Sequence, residues 1–424
     1  MSSETPATAT SAQAMELEEK YGAHNYHPLP VVVSRGEGAH VWDSEGKRYY
    51  DFLAAYSAVN QGHCHPRIVK ALIDQAQVLS LSSLGFYNNK LGAFEKYMSE
   101  YFGYEMMLPM NTGAEAVETA IKLARKWGYI KKGIPDGEAI ILAPSGNFHG
   151  RTTGVISMST DPEARSGFGP YLPRIGPDYA STGKIIRYDH AEDLEEALEK
   201  DGHRVAAFLV EPIQGEAGVK VPTDGYLRQC YELCKKHNVL FIADEIQTGI
   251  ARTGYILAVE HEGIRPDIVL LGKALSGGMY PVSAVLADRD IMLCIKPGEH
   301  GSTYGGNPLA CSVAMAALDV VKAEDLATKS RELGEYFRQR LRAIGSPVIK
   351  EVRGRGLFNA IDIDTDKAHG KTAWDICLML RDRGLLTKPT HETTIRFSPP
   401  LVITKEQLHE CCGIIESVFN ELTQ

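Results

Sequence analysis

Short, unbroken apolar runs alternate with charged, helix-patterned stretches through the middle of the chain. Residues 139–143, 205–210, 239–243, 268–271 and 282–286 are brief and rich in branched side chains, as strands buried on both faces should be. Between several of them lie stretches with helical periodicity, such as 193–200 and 226–237. This alternation predicts an α/β fold, a mostly parallel sheet with helices on both faces. Upstream, residues 31–53 alternate apolar with polar, and Gly36, Gly38 and Gly46 mark turns, which predicts a small antiparallel meander. A helix is expected to start at Pro66. Beyond residue 310 come helices over 309–321 and 326–344, a helix near 373–383 and a strand near 394–397, giving an α+β lobe. No internal repeat or low-complexity linker interrupts this order.

Composition narrows the class without fixing it. At 424 residues the chain is long enough for two or three domains, and 44% hydrophobic with 23% charged residues is ordinary for globular proteins. A net charge of -9 argues against nucleic-acid binding, which calls for a clustered basic surface. No apolar run reaches the ~18 residues of a membrane helix. The 8 cysteines are scattered, with no secretion signal, which favours reduced intracellular thiols. Cys230 and Cys234 lie one helical turn apart, but no second ligand pair follows at zinc-site spacing, so no metal is expected and both read as buried helix positions. His63-Cys64-His65 reads as a turn before the helix at Pro66. The first residues, MSSETPATATSAQA, are small and polar, with Glu4 and no Arg or Lys. That is unlike a mitochondrial presequence and suggests a disordered lead on a cytosolic protein.

The candidate chemistry clusters after the apolar runs. Asp244 follows one of them and Lys273 another, so both face the crevice beyond the carboxyl ends of parallel strands, where such sheets bind ligands. A lysine and a carboxylate so placed are what a pyridoxal phosphate enzyme needs, one for the carbonyl carbon and one for the ring nitrogen. Thr112-Gly113-Ala114-Glu115 has the form of a capping box opening a helix whose first N–H groups favour an anion. Asn147-Phe148-His149-Gly150-Arg151 offers an aromatic face and a guanidinium fork. Glu211 ends another strand with Gln214 and Glu216 after it, Gln247 lies three residues beyond Asp244, the loop 300–307 is polar and hydroxyl-bearing, and Arg396 lies in the strand near 394–397. Taken singly, each has an ordinary alternative: a capped helix, a core Phe, a solvated Arg. No G-x-x-x-x-G-K-[ST], and no G-x-G-x-x-G after a strand, supports a nucleotide site.

Together, YGAHNYHPLP (21–30), AYSAVNQGHCHP (55–66), PMNTGAEAVETA (109–120), VEPIQGEAGV (210–219), FIADEIQTGIARTG (241–254), VLLGKALSGG (269–278) and GEHGSTYGGNPL (298–309) closely resemble the class III, fold-type I pyridoxal-phosphate aminotransferases. YGAHNY and the AAYSAVN tyrosine point to the ornithine-specific branch, and the resemblance runs from Tyr21 to the C-terminus. It implies a disordered lead over 1–20, a large cofactor-binding domain over 66–320, and a smaller α+β domain built from 21–65 and 321–424. It also implies pyridoxal 5′-phosphate as cofactor, with L-ornithine, 2-oxoglutarate and glutamate as substrates and products. On this resemblance Lys273 anchors the cofactor and shuttles the proton, and Asp244 pairs with the ring nitrogen. Phe148 stacks on the ring, Gln247 approaches its hydroxyl, and Gly113 and Ala114 hold the phosphate. Thr303 reaches in from the partner subunit of a homodimer. Tyr26, Tyr56 and Arg151 position ornithine, while Arg396 takes the α-carboxylate of glutamate and Glu216 covers Arg396 when ornithine is bound. One departure is that His149 follows the stacking Phe148, where some ornithine enzymes carry Trp.

Overall fold

The computed structural model describes residues 10–423. Its centre is a six-stranded sheet in the order Met106–Met110, Ser283–Ala287, Ile268–Leu271, Leu240–Asp244, Val205–Val210, Ile140–Leu142. The last four named run parallel, as their unbroken apolar sequences imply. Neighbouring residues of these strands serve opposite faces. Leu209, Ile242 and Leu270 pack with Val117, Ala120 and Ile121 of helix Gly113–Trp127. Phe208, Phe241 and Val269 meet Leu194 and Leu198 of helix Ala191–Asp201, and Leu227, Cys230 and Cys234 of helix Tyr226–Lys236. Both cysteines are fully buried, so the helix-position reading holds.

The structure departs from the sequence reading in several places. Ser283–Ala287 pairs antiparallel with both neighbours, and Met106–Met110 adds an edge strand that the apolar pattern did not announce. The expected lead over 1–20 is partly helical. Ser11–Tyr21 is closed by a capping box in which Thr10 accepts from the Gln13 N–H, yet it buries no residue. Residues 1–9 lie outside the described residues.

Two small sheets flank the large one. Val33–Glu37, His40–Asp43 and Arg48–Asp51 form the expected meander, and Leu385–Leu386 joins it in parallel beside Arg48–Asp51. Ile349–Arg355, Phe358–Ile363, Thr394–Phe397 and Pro389–Thr390 form the other, with Arg396 opposite Ala360. Helix Pro308–Ala323 runs across residue 320, where the large domain was expected to end. At the carboxyl edge of the parallel strands, Asp244, Lys273, Glu211 and the loop 147–151 converge.

Candidate active site

The cavity at this edge is lined by Gly113, Ala114, Phe148, His149, Gly150, Glu211, Asp244, Ile246, Gln247, Thr248 and Lys273. Lys273 enters it directly after Gly272, with a left-handed backbone (φ 43°) that a non-glycine residue adopts only under strain. Among the described residues its Nζ makes no ion pair or hydrogen bond. Burial pushes its pKa below the ordinary lysine value, against the upward pull of Glu216 and Asp244.

Asp244 ends its strand 5% exposed. Its Oδ1 accepts from the Ile246 N–H at 3.1 Å, and its Oδ2 lies 2.6 Å from His149 Nδ1. Burial alone would depress the His149 pKa, but the bond to Asp244 and its charge outweigh that and raise it. Glu211 lines the same cavity with its pKa raised to about 8, chiefly by burial, with His149 lowering it and Asp244 raising it. Its two oxygens accept from Phe148 N–H at 2.8 Å and Gly215 N–H at 3.3 Å, tying two loops of the site together.

At the other end of the cavity, helix Gly113–Trp127 presents its N-terminus. Thr112 Oγ1 accepts from Glu115 N–H, and Glu115 accepts from the N–H groups of Thr112 and Asn111. The cap therefore turns back on itself and leaves the Gly113 and Ala114 N–H groups to the cavity. Gly150 lies against this turn at φ 131°, where an added Cβ would stand 2.9 Å from Ala114 Cβ, so this close approach needs glycine.

A second cluster adjoins the first through Gln247, whose Nε2 donates to Tyr56 O and to Glu216 Oε1, each at 3.2 Å. Glu216 Oε1 also accepts from Arg396 Nη1 at 2.8 Å, and the same nitrogen donates to Gly215 O at 3.2 Å. Arg396 is buried, and its guanidinium stands 5.1 Å from the Tyr56 ring. Burial raises the Glu216 carboxyl, but Arg396 more than reverses this, so its pKa sits below the ordinary value. Tyr56 belongs to a left-handed turn, Ala54–Ser57, with φ between 47° and 70° at all its residues. Asp51 Oδ1 holds the entry to that turn by accepting from the Leu53 and Ala54 N–H groups.

The sequence matches the class III aminotransferase family over residues 21–419. The chain belongs to the class III aminotransferases. It is 61% identical to the ornithine aminotransferase of Schizosaccharomyces pombe, over 98% of this chain and 95% of that protein. The crystal structure of the Toxoplasma gondii ornithine aminotransferase superposes with a TM-score of 0.92 at 47% identity, covering 97% of this chain and 96% of that one. A structure named as an acetylornithine aminotransferase, from Elizabethkingia anophelis, matches with a TM-score of 0.87 at 55% identity, over 98% of this chain and 100% of that one.

Class III aminotransferases use pyridoxal 5′-phosphate, and the cavity fits that group. It has free N–H groups at a helix N-terminus for a phosphate, an aromatic side chain in its wall, a carboxylate at a strand end and an unpaired lysine. Of the residues singled out from the sequence, Gly113, Ala114, Phe148, Asp244, Gln247 and Lys273 line this cavity together. Tyr56, Glu216 and Arg396 form the adjoining cluster. Arg151 is exposed with its guanidinium 5.2 Å from the Phe148 ring, and Tyr26 lies at the margin, 69% exposed. Thr303 stands apart, exposed and outside the lining of its own chain's cavity. The sequence reading did not assign His149 to Asp244, or Lys388 to the site, where its Nζ lies 5.6 Å from the Tyr26 ring. Adjacency to Phe148 was the one available hint for His149. Lys388 gave none beyond its closeness to Arg396 in the chain.

Proposed function

We propose that the chain transfers the δ-amino group of L-ornithine to 2-oxoglutarate, giving glutamate and glutamate 5-semialdehyde, which cyclises to pyrroline-5-carboxylate. The observation that carries this reading beyond the family is the Glu216–Arg396 pair, closed at 2.8 Å beside the lysine-bearing cavity. An open Arg396 would attract ornithine's carboxylate and bring the wrong amine to the reacting centre. Glutamate needs that same arginine for its α-carboxylate. A carboxylate that covers it and can leave serves both substrates in turn.

Pyridoxal phosphate, when bound, supplies an electron sink for the pair left behind as a C–H proton departs. The remaining tasks fall to the chain. Lys273 anchors the cofactor and then moves the proton through Nζ; its lowered pKa favours the neutral amine that this requires. Asp244 holds a proton on the ring nitrogen. Phe148 covers the ring, Gln247 approaches its hydroxyl, and the Gly113 and Ala114 N–H groups hold the phosphate. Tyr26, Tyr56 and Arg151 orient ornithine, with Arg151 on its carboxylate. The chain acts as a homodimer in which Thr303 completes the partner's site, a reading supported by its exposure away from its own cavity. Cytosolic residence completes the proposal, and fractionation of tagged protein tests it. Among the described residues no helix is long and apolar enough to cross a membrane.

The decisive experiment is a half-reaction with cofactor-loaded protein and L-ornithine alone, following the cofactor spectrum and identifying the carbonyl product. Glutamate 5-semialdehyde is expected. An α-keto acid, or faster conversion of acetylornithine, would replace this reading with that of an α- or acetylornithine-directed enzyme.

A further inference from the structure

His149 has no part in the roles above, yet its Nδ1 lies 2.6 Å from Asp244 Oδ2 inside the cavity. Its side chain is wholly covered. A carboxylate can only accept, so Nδ1 carries the proton whether the imidazole is neutral or charged. The buried Nε2 has no partner among the described residues, so Asp244 is the only side chain this imidazole bonds. With Ile246 N–H on Oδ1, both oxygens of Asp244 are held, and the carboxylate has little freedom to turn. The backbone behind His149 is fixed as well. Gly150 lies against Ala114, and Phe148 N–H donates to Glu211.

We propose that His149 is a positioning residue, whose Nδ1–H sets the orientation of Asp244 toward the ring nitrogen and thereby the affinity for the cofactor. The raised pKa of the imidazole is consistent with an Nδ1 proton retained through the working pH range. The inference rests on Asp244 facing that nitrogen, so Asp244→Asn serves as the control for that assignment.

The test exploits where an amide can stand. The side-chain nitrogen of Asn at 149 lies near the position of Nδ1, and that of Gln lies one bond farther, near Nε2. Pyridoxal phosphate affinity of the apoprotein is measured by fluorescence titration for wild type, His149→Asn, His149→Gln and Asp244→Asn. His149→Asn should stay within about threefold of wild type, and His149→Gln should weaken binding roughly tenfold or more, as loss of a bond to a charged group implies. The kcat of His149→Gln should fall while the KM for ornithine holds. Equal affinities for the two amide variants would overturn the proposal. If Asp244→Asn weakens binding while His149→Gln does not, Asp244 keeps its role and His149 loses the one proposed. Should His149→Gln not fold, nitrogen-15 histidine NMR of the wild-type apoprotein decides it, because a His149 protonated at Nε2 alone is incompatible with donation from Nδ1.

Discussion

Single residues of the site divide by whether their partners lie near in sequence. Asp244 and Lys273 were legible because each follows a buried strand, where a charged residue has few reasons to be. The bond between His149 and Asp244 was not, because it spans 95 positions. The Glu216–Arg396 pair supports a direct prediction. Glu216 is half-buried but Arg396 is buried, and leaving a buried charge without its bonded partner typically costs about 2–5 kcal/mol, so Glu216→Ala should expose Arg396 strongly. Single-turnover rates are expected to shift in favour of glutamate over ornithine, with α-amine products appearing from ornithine; an unchanged ratio would remove Glu216 from the switch. Glu211 supports a prediction about pH. Its pKa rises on folding from 4.5 to about 8, so the folded chain holds a proton that the unfolded chain releases. That contribution to stability is complete below pH 4.5 and is lost as pH rises through about 8. Thermal melts of apo Glu211→Gln should therefore show a flatter decline of Tm across that window than wild type does.

Whole elements were legible where one local rule dominates. Unbroken apolar runs gave the parallel strands, and Thr112 with Glu115 gave the helix start. Met106–Met110 escaped because Pro109 breaks strand expectations; its place at the sheet's edge is where a missing N–H is tolerated. The direction of Ser283–Ala287 escaped too, although the short connection over 272–282 leaves no room for a crossover helix, which a parallel partner would need. The left-handed turn at Ala54–Ser57 has no local signature, since its residues are not glycines and contacts such as Asp51's hold it. Helix packing gives a prediction at this scale. Gly334, within helix Leu326–Ala343, lies so close to the turn at Gly356 that an added Cβ would stand 1.9 Å from Gly356 O. Gly334→Ala must push the helix off that turn, an overpacking expected to cost about 1–3 kcal/mol or more. A lowered denaturation midpoint checks it, and wild-type stability would mean that the helix shifts freely.

At the scale of the molecule, the sequence shows which segments exist more readily than which ones meet. Leu385–Leu386 completes a sheet begun at Val33, a pairing that no local pattern encodes. The same holds for the step from chain to assembly. Thr303 is exposed and does not line its own cavity, which supports the proposal that it serves another copy's site. Hybrid dimers test this. A Lys273→Ala subunit has no working site of its own but still offers an intact Thr303. A Thr303→Ala subunit keeps Lys273 but depends on its partner for the missing hydroxyl. If Thr303 acts across the interface, the hybrid contains one site with both groups intact, although neither parent dimer has any. Mixing the two variants under conditions of subunit exchange should then raise cofactor affinity and turnover above the sum of the separate parents. If Thr303 served its own chain, Lys273 and Thr303 would never be intact in the same site of the hybrid, and mixing would give no gain.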